Sequence, residues 1–159
     1  MTDTQEPDRF PVRKSPRLEN FDYSSPNWYF VTICTWDKQC LFGSPNSLSP
    51  SGEIARQCLK GIGIHFPNAV IEKSVIMPNH VHAILSLTGG VNLSSVIGLY
   101  KSAVTKQIHE INPDEKVWQT SYHDHIIRNQ ADYERIWLYI DANPGRWMDD
   151  CFYTPDQEG

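Results

Sequence analysis

Apolar and polar residues recur along this chain with two different periods, and the switches between them mark out its elements. Trp28 to Trp36 (WYFVTICTW) is dense in aromatic and β-branched residues and predicts a strand. Asp37 to Ser51, rich in Pro, Ser and Gly, predicts a loop. From Glu53 to Ile64 the apolar residues Ile54, Cys58, Leu59 and Ile62 fall at helical spacing. Val70 to Met77 predicts a second strand, Pro78-Asn79 a turn, and His80 to Leu87 a third strand that Gly89-Gly90 ends. Asn92 to Ile111 gives the longest helical pattern. Leu93, Val96, Ile97, Tyr100, Val104, Ile108 and Ile111 form one stripe, and Asn92 can cap it. Val117 to Arg128 predicts a fourth strand, and Ala131 to about Ala142 a last helix stopped near Asn143-Pro144.

The order strand, helix, strand, strand, helix, strand, helix is α+β. Its first six elements fit a ferredoxin-like βαββαβ antiparallel sheet with both helices on one face. The last helix is then the element left to cover the other face. Alternation within the third strand puts Val81, Ala83, Leu85 and Leu87 on one wholly apolar face, and His80, His82, Ile84 and Ser86 on the opposite one. If the helices cover the apolar face, the two imidazoles look toward the open side.

At 159 residues the chain suits one domain with a real core. We expect a basic arm over residues 1–20, a single domain over 21–148 and an acidic tail over 149–159. No apolar run is long enough to span a membrane and the polar N-terminus is not a signal peptide, so a cytoplasmic protein without membrane partners is expected. Cys34, Cys40, Cys58 and Cys151 form no CxxC pair and read as idle or buried thiols.

A net charge of −5 argues at first against nucleic acid, but its distribution weakens the objection. The tail holds Asp149, Asp150, Asp156 and Glu158 and no base, while residues 21–148 are nearly neutral. Arg9, Arg13, Lys14 and Arg17 form a basic stretch without an acid among them, able to neutralise phosphates or simply to sit solvated. Lys101, Lys106, Arg128 and Arg135 are further candidates for phosphate contact, although each alone is a solvated charge. Trp28, Phe30, Trp118 and Tyr122 could stack on bases, or belong to the core.

Two neutral imidazoles on a rigid strand are pre-aimed at a cation, but a third ligand is needed, with open positions left for substrate. Tyr139 and Asn143 are four apart and share a face of the last helix. The Asn143 carbonyl oxygen suits a hard cation, or the residue is a helix cap. Tyr139 has apolar neighbours and could be core. As a nucleophile it faces a cost, because a phenol of pKa about 10 is only about a thousandth ionised at pH 7, roughly 4 kcal/mol from full ionisation. A neighbouring cation can supply several kcal/mol, so tyrosine attack on phosphate goes naturally with a metal site. His123 and His125 form a second alternating pair around an acidic residue, and read as supporting the site or facing DNA more than as ligands. His65 and His109 have no partner at ligand spacing and read as surface residues.

MPNHVHAIL (77–85) resembles the metal motif of the HUH single-tyrosine transposases of the IS200-like superfamily, in which U is a hydrophobic residue. RKSPRLENFDYSSPNWYFVTICTW (13–36) and WQTSYHDHIIRNQADYERIWLYIDANPGRW (118–147) are similar to segments of their REP-associated tyrosine transposase branch. The resemblance spans most of residues 13–147. It implies a ferredoxin-like fold and cleavage of single-stranded DNA beside a REP-like hairpin. By position it makes His80 and His82 the paired metal ligands, Asn143 the third ligand and Tyr139 the nucleophile that forms a 5′-phosphotyrosine. It implies Mg2+ or Mn2+, while imidazoles by themselves suit manganese or zinc better than magnesium and leave the ion open. With that function, Arg13, Lys14, Arg17, Lys101, Lys106 and Arg128 are the candidates for DNA contact from their charge, and a nucleoid-associated location and a monomer or homodimer are expected.

Three rivals stand beside it. A histidine-triad nucleotide hydrolase would want a third histidine where Ile84 stands. A structural metal site would be closed by four protein ligands, and three are in view. A catalytically silent single-stranded nucleic-acid-binding domain on the same fold is the main alternative. The presence of His80, His82, Tyr139 and Asn143 together argues for activity.

Overall fold

The computed structural model describes residues 27–149. Arg13, Lys14 and Arg17, the basic arm and nearly all of the acidic tail lie outside the described residues. The elements are β1 (Asn27–Cys34), β2 (Gly43–Ser44), β3 (Ser47–Leu48), α1 (Pro50–Lys60), α2 (Ile62–His65), β4 (Ala69–Met77), β5 (His80–Leu87), α3 (Leu93–Ile111), β6 (His123–Ile127) and α4 (Gln130–Ala142). A 3-10 turn over Asn143–Asp149 follows.

The main sheet has the order β4-β5-β1-β6, with every neighbouring pair antiparallel. This is the split arrangement expected for βαββαβ, in which β5 inserts between two strands joined through a helix. Tyr29, Val31 and Ile33 of β1 and Val81, Ala83, Leu85 and Leu87 of β5 share the larger core with α1 and α3. The α3 stripe is buried as its spacing predicts, except Ile111, which is 64% exposed at the end of the helix. Asn92 caps α3 by accepting the Ser94 N–H at 2.9 Å. The opposite face carries a smaller core in which Ile136 and Ile140 of α4 cover Phe30, Ile84 and Ile127. Burying an isoleucine contributes roughly 1.5–3 kcal/mol, so two of them anchor α4 firmly to the sheet.

Three boundaries depart from the sequence reading. The first helix starts at Pro50, because Ser49 caps it by accepting the Gly52 N–H at 3.0 Å and proline suits a first helical turn. The expected loop contains the small β2–β3 hairpin, which needs Gly43: its φ is +96°, and a Cβ there would lie 2.5 Å from the Ser49 nitrogen. The fourth strand is confined to His123–Ile127. Upstream, Trp118 makes an isolated bridge to Thr35 and turns its ring inward against Phe42 and Tyr100. Among the described residues, no helix is long and apolar enough to cross a membrane.

Candidate metal and nucleophile site

The two-residue turn at Pro78-Asn79 sets the β4–β5 register so that Met77 faces His80. Alternation from there sends His80 and His82 to the α4 side of the sheet. Both residues are fully buried, and their rings lie 4.5 Å apart, centre to centre.

Each ring is aimed by a neighbour. His80 Nδ1 is 2.8 Å from Asn79 Oδ1. Asn79 Nδ2 donates to the Lys38 carbonyl at 3.2 Å, which fixes the amide and makes its oxygen the acceptor toward His80. His80 Nδ1 therefore carries the proton, and its lone pair is on Nε2. The Lys38 carbonyl is delivered by a left-handed pair, Asp37 (φ 54°) and Lys38 (φ 53°), an uncommon conformation for non-glycine residues. Thr35 ties this loop to the turn, its N–H donating to the Asn79 carbonyl at 3.0 Å and its hydroxyl to the Gln39 carbonyl at 2.7 Å. His82 Nδ1 lies 2.9 Å from Thr32 Oγ1, its cross-strand partner on β1. With the hydroxyl as acceptor, the same tautomer results. Burial, then the neighbouring His80 and His123, hold the His82 pKa well below the ordinary histidine value. His82 is thus kept neutral, the form that binds metal.

α4 supplies the remaining groups. Asn129 caps it by accepting the Asp132 N–H at 2.8 Å, and Ile136 and Ile140 set its rotation. Tyr139 then lies at the border of the small core. Its ring centre is 5.4 Å from that of His82 and 6.1 Å from that of Phe30, while the residue stays only half-buried. Asn143, one turn on, is 4% exposed, and its Oδ1 is buried without a hydrogen-bond partner among the described residues. Two buried imidazole Nε2 atoms and this amide oxygen make a donor set suited to a borderline or hard divalent cation. Among the described residues no three His, Cys, Asp or Glu side chains form a metal cage, so a cation here would rely on Asn143 and on oxygens of its substrate. Trp147 flanks the pair, its ring centre 6.1 Å from that of His80.

The other sequence candidates are scattered. His123 sits opposite Thr32, on the same sheet face as His82. His125 binds Asp132 of α4 at 2.8 Å through Nε2. His65 is exposed, and His109 Nε2 pairs with the Glu115 carbonyl at 2.8 Å. Lys101 donates to the Gln119 carbonyl at 2.8 Å and so tethers the segment before β6. Lys101 and the exposed Lys106 belong to α3, across the sheet from His82, whereas exposed Arg128 directly precedes the α4 cap. Of the four aromatic candidates, Phe30 and Tyr122 are buried, Trp118 packs into the core, and Trp28 is exposed beside Tyr133. Cys34 is buried, and Cys40 and Cys58 are half-buried.

Sequence reasoning missed Thr32 and Asn79 as orienting partners. The available signals were a polar residue on the histidine-facing side of an otherwise apolar strand, and an asparagine directly before His80.

The family model described as "Transposase IS200 like" matches residues 52–143, which include both histidines, Tyr139 and Asn143. A Haemophilus influenzae protein, "Uncharacterized protein", is 34% identical over 168 residues, covering 89% of this chain and 93% of that one. Among solved structures, a REP-associated tyrosine transposase bound to a REP hairpin superposes with a TM-score of 0.61 at 21% identity, covering 90% of this chain and 92% of its own. A proposed transposase from Deinococcus radiodurans R1 gives a TM-score of 0.55 at 15% identity over 82% of this chain and 98% of its own. At these identities the two structures speak for the fold, while the family match covers more than half of the sequence. The chain belongs to the IS200-like transposase family.

Proposed function

We propose that this protein cleaves and rejoins single-stranded DNA beside a hairpin through a 5′-phosphotyrosine on Tyr139, as in the REP-associated branch of its family. The observation that carries this reading is the packing of a half-buried Tyr139 ring on buried His82, from the helix that delivers Asn143 one turn later. The hairpin bound to the solved REP-associated relative supports the choice of substrate.

His80, His82 and Asn143 would hold a divalent cation, Mn2+ or Mg2+. When bound, it supplies positive charge that polarises the phosphoryl oxygens and favours the phenolate. Asn79 and Thr32 fix the rings of His80 and His82 through Nδ1, which would leave both Nε2 atoms available to such a cation. Tyr139 Oη loses its proton and bonds to phosphorus as the P–O3′ bond breaks. The leaving oxygen takes up a proton and departs as a 3′-hydroxyl. The phosphotyrosine preserves one diester bond, so attack by another 3′-hydroxyl reverses the step and joins a new strand without a nucleotide cofactor. Half-burial suits the tyrosine, since a fully buried phenol could not meet a DNA phosphate. Arg13, Lys14 and Arg17 of the arm, with Arg128 and Lys106, add backbone contacts. Lys101 serves the fold first.

The test is incubation with a panel of labelled single-stranded hairpins and Mn2+, followed by denaturing electrophoresis. A denaturant-resistant adduct is expected, and His80→Ala or His82→Ala should each lose it. Binding without any adduct would favour the silent-domain alternative. An adduct unchanged in both variants would move the site to His123 and His125.

A further inference from the structure

On the α4 flank that carries Tyr139, a second polar cluster lies outside the metal site. Arg135 stands four residues before Tyr139, so the two side chains are neighbours one helical turn apart, about 6 Å along the axis. Arg135 Nη2 is ion-paired to Asp132 Oδ1, and His125 Nε2 holds Asp132 Oδ2 at 2.8 Å. Asp132 is itself buried and fixed at the start of α4, with its own N–H on the Asn129 cap. His125 is the cross-strand partner of Phe30, against which Tyr139 packs. The cluster and the tyrosine therefore lie along α4 on the same face of the sheet.

We infer that Arg135, oriented by Asp132 and His125, grips a DNA phosphate next to the one attacked by Tyr139. The inference rests on the reading of Tyr139 given above. A clasp between α4 and β6 needs only His125 and Asp132. Arg135 adds a guanidinium whose side chain is 37% exposed. Guanidinium has five N–H donors in a fixed fork, so it can hold Asp132 and a phosphate oxygen together. Asp132 also removes much of the rotamer freedom that a long side chain would otherwise lose on binding. The one-turn offset from Tyr139 suits the next phosphate along an extended strand. A planar fork matches the oxygens of a phosphate, which every nucleotide presents whatever its base. Asp132 and His125 are positioning residues in this scheme, because they act through Arg135.

Binding is measured by fluorescence anisotropy on a labelled oligonucleotide with a hairpin and a single-stranded flank. Tyr139→Phe is present in every protein compared, so that no chemistry occurs. Arg135→Gln should reduce the magnitude of the slope of log binding constant against log salt by about 0.7, the share of one phosphate contact on a single strand. Arg135→Lys and Asp132→Asn should keep the slope while weakening binding, since a cation remains at position 135 and its geometry is lost. An unchanged slope in Arg135→Gln overturns the contact and leaves Arg135 as a clasp residue. The adduct assay on the otherwise wild-type chain separates the two ideas. An adduct with an unchanged slope removes only the contact. A changed slope without any adduct keeps the contact and removes the strand-transfer chemistry. Absence of binding by all the proteins overturns both.

Discussion

Thr32 and His82 face each other across β1 and β5 with Oγ1 and Nδ1 2.9 Å apart, inside a region that solvent does not reach. A strand-centre threonine is thereby made part of the site, because a buried imidazole with no partner on Nδ1 has no fixed tautomer. Thr32→Val keeps the shape and the β preference of the side chain but removes the hydroxyl. Partners of this kind typically account for about 10–100-fold in metal affinity or activity. We expect a loss of that order in Mn2+ affinity by isothermal titration calorimetry, with the fold retained. Unchanged affinity would show that Thr32 does not orient His82.

Asp132 makes stability depend on pH in a defined direction. Burial raises its pKa, but the hydrogen bond and charge of His125, the charge of Arg135 and a backbone hydrogen bond from Arg128 outweigh it. Its carboxyl is thus held below the ordinary value of 3.8. A depressed folded-state pKa contributes stability that is fully present above the unfolded value and is lost as pH falls through the folded one. The melting-temperature gap between wild type and Asp132→Asn should therefore be constant near neutrality and shrink below about pH 4. A gap that persists or widens in acid would contradict this assignment.

The seating of α4 depends on its two buried isoleucines. Ile140→Ala should destabilise the protein by about 2–5 kcal/mol in urea unfolding, the usual range for such a truncation. Leu138, one face away and 65% exposed, should change stability by no more than about 0.5 kcal/mol when replaced by alanine. Equal effects of the two substitutions would mean that α4 is not docked as described.

These particulars show what the chain's pattern could reveal. Period-two alternation around His80-Val81-His82 placed both imidazoles on the face away from α1 and α3, since the apolar face of that strand could only point at the core. The α3 stripe and the element order were equally legible, because each depends on local periodicity. The β2–β3 hairpin was hidden in a loop, as its two-residue strands are too short for any period to register. The fourth strand was overestimated because the apolar run Val117–Trp118 packs inward from irregular backbone, with Lys101 and Trp118 tying that segment to α3. The orienting roles of Thr32 and Asn79 depend on partners about fifty and forty residues away, since Thr32 meets His82 across the sheet and the Asn79 amide is fixed by the Lys38 carbonyl. The His125–Asp132–Arg135 cluster joins residues close in sequence, but only the docking of α4 beside β6 brings His125 onto Asp132.

The central claim is that the phenol of Tyr139 becomes the covalent link to DNA. Its most direct test is to digest the adduct formed with a hairpin oligonucleotide and Mn2+, and to locate the nucleotide by mass spectrometry. The account predicts a phosphonucleotide on Tyr139, and loss of the adduct in Tyr139→Phe while hairpin binding persists. A nucleotide on Tyr133 or Tyr100, or an undiminished adduct in Tyr139→Phe, would contradict it.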